Sequence, residues 1–216
     1  MYLPPSFSVP PEQTSELLRE GGFAHLVTPA PDGIEVTSLP LIYDEDRHAL
    51  VGHMARPNPH WKLTADVESV AVIPGPDAYV SPTFYPSKAE NPRTVPTWNY
   101  EILHVFGRLI AHDDPGWLRE QVVRLTDRHE GGRAAPWRVD DAPSAFVDAQ
   151  LRAIVGVELA ITRVVAKAKL SQNRSAADRS GVIRGLAAGT PADRELAARM
   201  TTAGLGAPAG SGDPPA

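Results

Sequence analysis

Two β-hairpins stand within the first 55 residues, and they confine the fold more than any other feature. FAHLVTPA at 23–30 runs into the turn Pro31-Asp32-Gly33 and then IEVTSLPLIYD at 34–44. The polar turn EDRH leads on to ALVGHMA at 49–55. Strands joined by such short turns pair antiparallel, because a parallel return needs a crossover of about a dozen residues or more. Pro40 inside the second strand marks a bulge or an edge. Residues 67–75, 78–85, 100–114 and 154–170 read as further strands. Helices are expected at 11–20, in a short piece within 57–64, and at 115–130, 142–153, 175–187 and 191–203. Asp141 is the expected cap of the 142–153 helix. Strand and helix alternate too rarely for a doubly wound sheet. The expected fold class is mainly β with flanking α-helices, built on a small closed β-barrel.

The expected layout is a barrel domain at 1–170 carrying a helical hairpin at 115–153, a helical extension at 171–204, and a disordered Gly/Pro-rich tail at 205–216. The chain has no cysteine, which excludes disulfides, thiolate metal sites and cysteine nucleophiles. The opening MYLPPSFSVPPEQ lacks a basic region followed by an apolar run, so no signal peptide is expected. No apolar stretch reaches the ~18 residues of a membrane span, and the expected location is the cytoplasm. The formal charge is −5 and the basic residues are scattered, which weighs against direct DNA binding. Nucleotide-loop, serine-hydrolase and zinc-protease motifs are all missing.

Three segments carry chemical interest. In GHMARPNPHW, 52–61, a strand ends at Gly52 and is followed by His53, Arg56 and a proline-bounded turn. A free helix start beside an arginine suits an anion, because unpaired N–H groups and guanidinium donors face one point. The same residues also suit a capped helix with a surface arginine. The second segment joins PDAYVSPTFY, 76–85, to VPTWNY, 95–100, and concentrates Tyr79, Phe84, Tyr85, Trp98 and Tyr100. Such a cluster fits a wall for a flat ring system, and equally a barrel core with a dimer interface. The third, AKAKLSQNR at 166–174, places Lys167 and Lys169 on one strand face, followed by Gln172, Asn173 and Arg174. It reads as an anion clamp or as a solvated strand end. Among seven histidines, His53, His60 and His104 stand nearest these segments and are candidates for iron ligation or proton donation. His48, His112 and His129 read as surface residues.

Taken in order, MYLP, LVGHMARPNPHW (50–61), GPDAYVSP (75–82), VPTWNY (95–100), IVGVE (154–158) and AKAKLSQNR (166–174) resemble the PaiB family, also called FMN-binding negative transcriptional regulators. The resemblance spans roughly residues 1–187. It implies an FMN-binding split β-barrel related to flavin reductases and pyridoxamine phosphate oxidases. It also implies a homodimer with two cofactor sites at the subunit interface. Carried onto this sequence, Gly52, His53, Arg56 and Asn58 would approach a phosphate or another acidic tail, and Thr37, Ser38 and Leu39 would lie along the ring. Trp98 and Asn99 would close the pocket, and Lys169, Gln172 and Arg174 would meet its polar end.

Two positions depart from the family pattern: Ser38-Leu39-Pro40 where many members have His-Leu-Pro, and His60 in Asn58-Pro59-His60-Trp61 where glutamine is usual. A branch of the same family is known as haem-dependent piperazate synthases, which cyclise N5-hydroxyornithine. For that branch the resemblance implies haem b in place of FMN, with His53 or His60 as iron ligand and Arg56 on a propionate or the substrate carboxylate. His53, His60 and Arg56 are therefore the expected catalytic residues. The expected function is a cofactor-dependent enzyme acting on a small molecule, most concretely a piperazate synthase. An FMN-binding regulator and a flavin reductase-like oxidoreductase are the alternatives.

Overall fold

The hydrophobic alternation of the first two hairpins continues into a six-stranded barrel in the computed structural model, which describes residues 1–63 and 67–205. In chain order the elements are α1 (Pro11–Glu20), β1 (Gly22–Ala30), β2 (Gly33–Asp44), β3 (Ala49–Ala55), β4 (Glu68–Val80), β5 (Thr97–His112), α2 (Pro115–Glu130), α3 (Ser144–Arg152), β6 (Ile154–Lys169), α4 (Ala176–Ala187) and α5 (Pro191–Thr202). The strands close in the order β1-β2-β3-β6-β5-β4. β1 pairs antiparallel with β2 from Gly22↔Leu41 to Ala30↔Gly33, and β3 with β6 from Ala49↔Ala160 to Ala55↔Ile154.

Three sequence expectations need correction. The two short strands expected at 67–75 and 78–85 are one strand, β4, that runs straight through Pro74-Gly75-Pro76. The fixed φ of proline is compatible with extended backbone, so these residues do not break the strand. Beyond it, Pro82–Phe84 and Pro86–Ala89 form 3-10 turns. The short helix expected within 57–64 is a 3-10 turn, Pro59–Lys62. Asp141 does not cap α3: it closes a separate 3-10 turn, Val139–Asp141, and accepts from the Arg138 N–H at 2.8 Å. The expected tail falls outside the described residues from 206 onward.

The chain packs as two compact units, each assembled from separate stretches: Pro11–Ile73 with Leu103–Val165, and Met1–Pro10 with Pro74–Ile102 and the segment from Ala166 on. In the first unit the pairing register sorts side chains by face. Ala24, Leu26, Leu39, Leu41, Leu50, Met54, Val155, Val157 and Leu159 are buried in the barrel interior. On the opposite face Ile42, Ala49 and Val51 pack under Trp117 and Leu125 of α2. In the second unit α4 and α5 share one core with the ends of β4 and β6, where Val80, Tyr85, Leu170, Val182, Leu186, Leu196 and Met200 are buried together. The C-terminal helices thus cover a core that Ala78, Val80 and Tyr85 help to form.

Helix α2 approaches the sheet closely only because β6 carries Gly156. A Cβ there would stand 2.1 Å from Cζ3 of Trp117. The same indole stacks on His112, centroids 4.1 Å apart and planes 7° from parallel. We expect Gly156→Ala to displace Trp117 and cost about 1–3 kcal/mol, read as a lower urea midpoint with a changed tryptophan emission.

Candidate functional site

The segment Gly52–Trp61 builds one end of the barrel. Gly52 is required for close approach: a Cβ would meet the Pro40 carbonyl oxygen at 2.7 Å. Asn58 caps the following 3-10 turn, its Oδ1 accepting from the His60 N–H at 2.9 Å, while its Nδ2 donates to Thr37 Oγ1 at 3.0 Å. This turn drives His60 inward until it is 0% exposed. Both ring nitrogens are engaged, Nδ1 with Thr37 Oγ1 and Nε2 with Thr28 Oγ1, each at 2.8 Å. Thr28 Oγ1 in turn meets Ser69 Oγ at 2.7 Å. Burial holds the His60 pKa below the ordinary histidine range, against a weaker upward pull from Glu35. His60 is therefore a neutral plug, with no ring nitrogen left for a metal.

Arg56 is equally engaged. Its guanidinium donates to both carboxylate oxygens of Asp113 at 3.1 and 2.5 Å, to the Arg152 carbonyl at 2.7 Å and to the Ile154 carbonyl at 2.9 Å. It ties the end of β3 to the residue after β5 and to the start of β6, and in this state offers an incoming anion no free fork. His53 sits on the face of β3 that meets α2, and its Nδ1 is hydrogen-bonded with Gln121 Oε1 at 2.9 Å. His53 and His60 consequently do not converge: one lies under α2 and the other in the barrel.

Strand alternation also divides Thr37, Ser38 and Leu39. Thr37 joins the His60 network and Leu39 is in the core, so only Ser38 projects outward. There it hydrogen-bonds with His25 Nδ1 at 2.8 Å. Around this pair Phe23, Ile34 and Val36 are exposed, leaving the outer face of β1 and β2 apolar and uncovered.

The second unit holds the remaining expected residues. Trp98 is 53% exposed and meets Tyr79 edge-on at 6.1 Å, giving an open aromatic pair. Asn99 points the other way and is fully buried: its Nδ2 donates to Ser171 Oγ at 2.9 Å and contacts Met200 Sδ at 3.7 Å. It supports a turn in which Ser171 adopts a left-handed φ of 64°, so it does not line the same surface as Trp98. Gln172 folds back on its own backbone, accepting from the Leu170 N–H at 2.7 Å and donating to the Ala168 carbonyl at 2.6 Å. Arg174 lies over the Tyr85 ring at 4.9 Å. Lys169 donates to Thr97 Oγ1 and to the Trp98 carbonyl. Burial, with Lys167 and Arg174 nearby, lowers its pKa. Lys169 therefore reaches Trp98 only at its backbone carbonyl, on the Thr97 side of the strand, while the Trp98 ring keeps an open face.

Several polar contacts around α2 escape sequence reasoning. His112, read as a surface residue, meets Glu158 Oε2 at 2.9 Å beside Trp117. Asp44 is buried between Arg124, at 2.5 Å, and Arg47, at 3.4 Å. Burial raises its pKa, and the hydrogen bonds and charges of the two arginines outweigh that and hold it low. Gln121 carries the one legible signal, a polar residue one turn from Trp117 on the sheet-facing side of α2. Among the described residues no group of three His, Asp or Glu side chains could hold a metal ion, and no helix is long and apolar enough to cross a membrane.

A family model described as "Putative FMN-binding domain" matches residues 1–163. The chain is 32% identical over 192 residues to "Protease synthase and sporulation protein PAI 2" of Bacillus subtilis, covering 86% of this chain and 89% of that protein. Among solved structures, the FAD and haem binding protein from Mycobacterium smegmatis matches with a TM-score of 0.55 at 19% identity, over 76% of this chain and 73% of that one. The flavocytochrome Anf3 from Azotobacter vinelandii matches at 0.54 and 15%, over 75% and 69%. At these identities the structural matches establish the split-barrel fold.

The neutral state of His60 fixes a pH dependence. Its folded pKa is depressed, so the unfolded chain takes up the proton first as pH falls. Stability is complete above the ordinary histidine pKa of about 6.5 and is lost as pH drops below it toward the folded value. Replacing the plug, His60→Ala, is expected to cost about 2–4 kcal/mol. It should also flatten the slope of urea midpoint against pH below neutrality.

Proposed function

The chain belongs to the PaiB family of FMN-binding proteins, and on that premise we propose that it is an enzyme using a bound planar redox cofactor on a small molecule, most concretely a haem-dependent cyclase of the piperazate synthase kind. The observation that carries the haem form is the state of His53. A glutamine oxygen accepts only from N–H, so the bond from Nδ1 to Gln121 Oε1 leaves the lone pair on Nε2. Among the described residues Nε2 has no partner, whereas both nitrogens of His60 are taken by threonine hydroxyls. His53 is accordingly the residue whose imidazole would hold the iron.

Bound haem would supply a Lewis-acidic iron that favours departure of a hydroxylamine oxygen. The net reaction joins the α-amine to the hydroxylamine nitrogen of N5-hydroxyornithine and releases water, so it consumes no external oxidant. The part left to the chain is to orient the ligand imidazole and keep water from the reacting nitrogen. The names of the two structural relatives, one binding FAD and haem and the other a flavocytochrome, support a scaffold able to take either ring.

A flavin form is favoured by a separate observation. The apolar face around Ser38, and in the other unit the open Tyr79–Trp98 pair, are surfaces suited to a flat ring. A regulatory role finds less support: the charge of −5 opposes unaided DNA binding.

An absorption spectrum of the purified protein, before and after haem addition, separates these forms. A single strong band near about 400 nm, absent in His53→Ala, is the expected result. Flavin bands near about 370 and 450 nm with no uptake of haem would remove the haem form. We further propose a homodimer that covers the β1/β2 face. Ile34→Asp combined with Val36→Asp should lower the mass measured by light scattering from dimer to monomer.

A further inference from the structure

The side-chain amide of Gln121 has one half explained and one half not. Its oxygen meets His53, yet its Nε2 is buried with no hydrogen-bond partner among the described residues, in a side chain only 3% exposed. A buried amide donor left unpaired costs on the order of 1–3 kcal/mol, so a native fold normally gives it a partner. Beside Gln121 lies a polar cavity of about 10 Å³, lined among others by Asp44, Arg47, Glu120 and Arg124. That is close to the smallest space that takes a single water molecule, and a buried water needs two to four polar partners. The Gln121 amide supplies a donor, and the Asp44 carboxylate supplies lone pairs beyond those already used by the Arg47 backbone N–H and the Arg124 guanidinium.

We infer that Gln121 is a positioning residue that locks His53 in its Nδ1–H tautomer, and that one buried water in this cavity bridges the Gln121 amide to Asp44. The logic is one of orientation. A free side-chain amide can rotate so that either its oxygen or its nitrogen faces the imidazole. In the structure the oxygen faces His53 and the nitrogen does not, and a water that donates to Asp44 and accepts from the nitrogen holds the amide that way round. Oxygen accepts and does not donate, so the proton stays on Nδ1 and the lone pair stays on Nε2. Asp44 is itself fixed by two arginines, Arg47 at 3.4 Å and Arg124 at 2.5 Å. The chain of contacts therefore runs from a rigid ion cluster through one water and one amide to a single ring nitrogen. This deepens the haem reading, since it explains why the ligand nitrogen would be presented, and it makes a claim about the cofactor-free chain that stands or falls by itself.

The test is histidine-ring and side-chain amide NMR on the cofactor-free protein at about pH 8, where imidazoles are neutral. The ring nitrogen shifts of His53 should report the Nδ1–H tautomer. The Gln121 amide protons should show a cross-peak to a long-lived water. Gln121→Leu should move His53 to a majority of the Nε2–H form, as in a free imidazole. Gln121→Glu, whose carboxylate can only accept, should restore Nδ1–H. A wild-type His53 carrying its proton on Nε2, or a tautomer unchanged in Gln121→Leu, would overturn the assignment. A missing water cross-peak would overturn the bridge. Because no haem is present, these outcomes are independent of whether the loaded protein shows a Soret band.

Discussion

One neutral imidazole closes an end of the barrel, and the arrangement of the surrounding segment follows from it. His60 reaches the interior only because Asn58 caps the turn that carries it and Gly52 lets β3 lie against β2. Inside, Thr28 and Thr37 replace the hydrogen bonds the ring would otherwise make with water, and Ser69 engages Thr28. A buried network of this kind rigidifies when every member is satisfied, and both His60 nitrogens are. Arg56 performs the same service outside the barrel, binding three chain ends through one guanidinium.

Much of the fold was legible because it rests on local signals. The Asp-Gly turn and the period-two alternation place β1, β2 and β3, and Pro115 with the capping Asp114 places α2 to the residue. β4 was misread as two strands because Pro-Gly-Pro is a strong turn signal that extended backbone can nevertheless accommodate. The two packing units were not legible at all, since long-range pairing of β4, β5 and β6 leaves no mark on neighbouring residues.

The candidate site was legible as a set of segments and poorly legible as a set of side chains. Thr37, Ser38 and Leu39 cannot share a surface, because successive strand residues face opposite ways. Trp98 and Asn99 part for the same reason, one to the open face and one into the core. Polar residues in motifs such as KLSQN and ARPNPH resemble ligands in sequence. Here most of them support tight turns: Gln172 bonds the backbone of Leu170 and Ala168, Asn58 the backbone N–H of His60, and Asn99 the Ser171 hydroxyl. Without coordinates, a polar side chain that supports a turn and one that meets a ligand look alike.

The division of faces has an evolutionary consequence. The residues that hold the barrel together point inward or across strand ends, while Ser38, Val36, Tyr79 and Trp98 point out and carry little of the core. Substitutions at such outward positions are cheap in stability, so a lineage can change the surface they form while the barrel interior stays as it is. Most polar residues of the segment at 52–61 are therefore scaffold. Within GHMARPNPHW, Gly52, Arg56, Asn58 and His60 hold the end of the barrel, while His53 is turned toward α2.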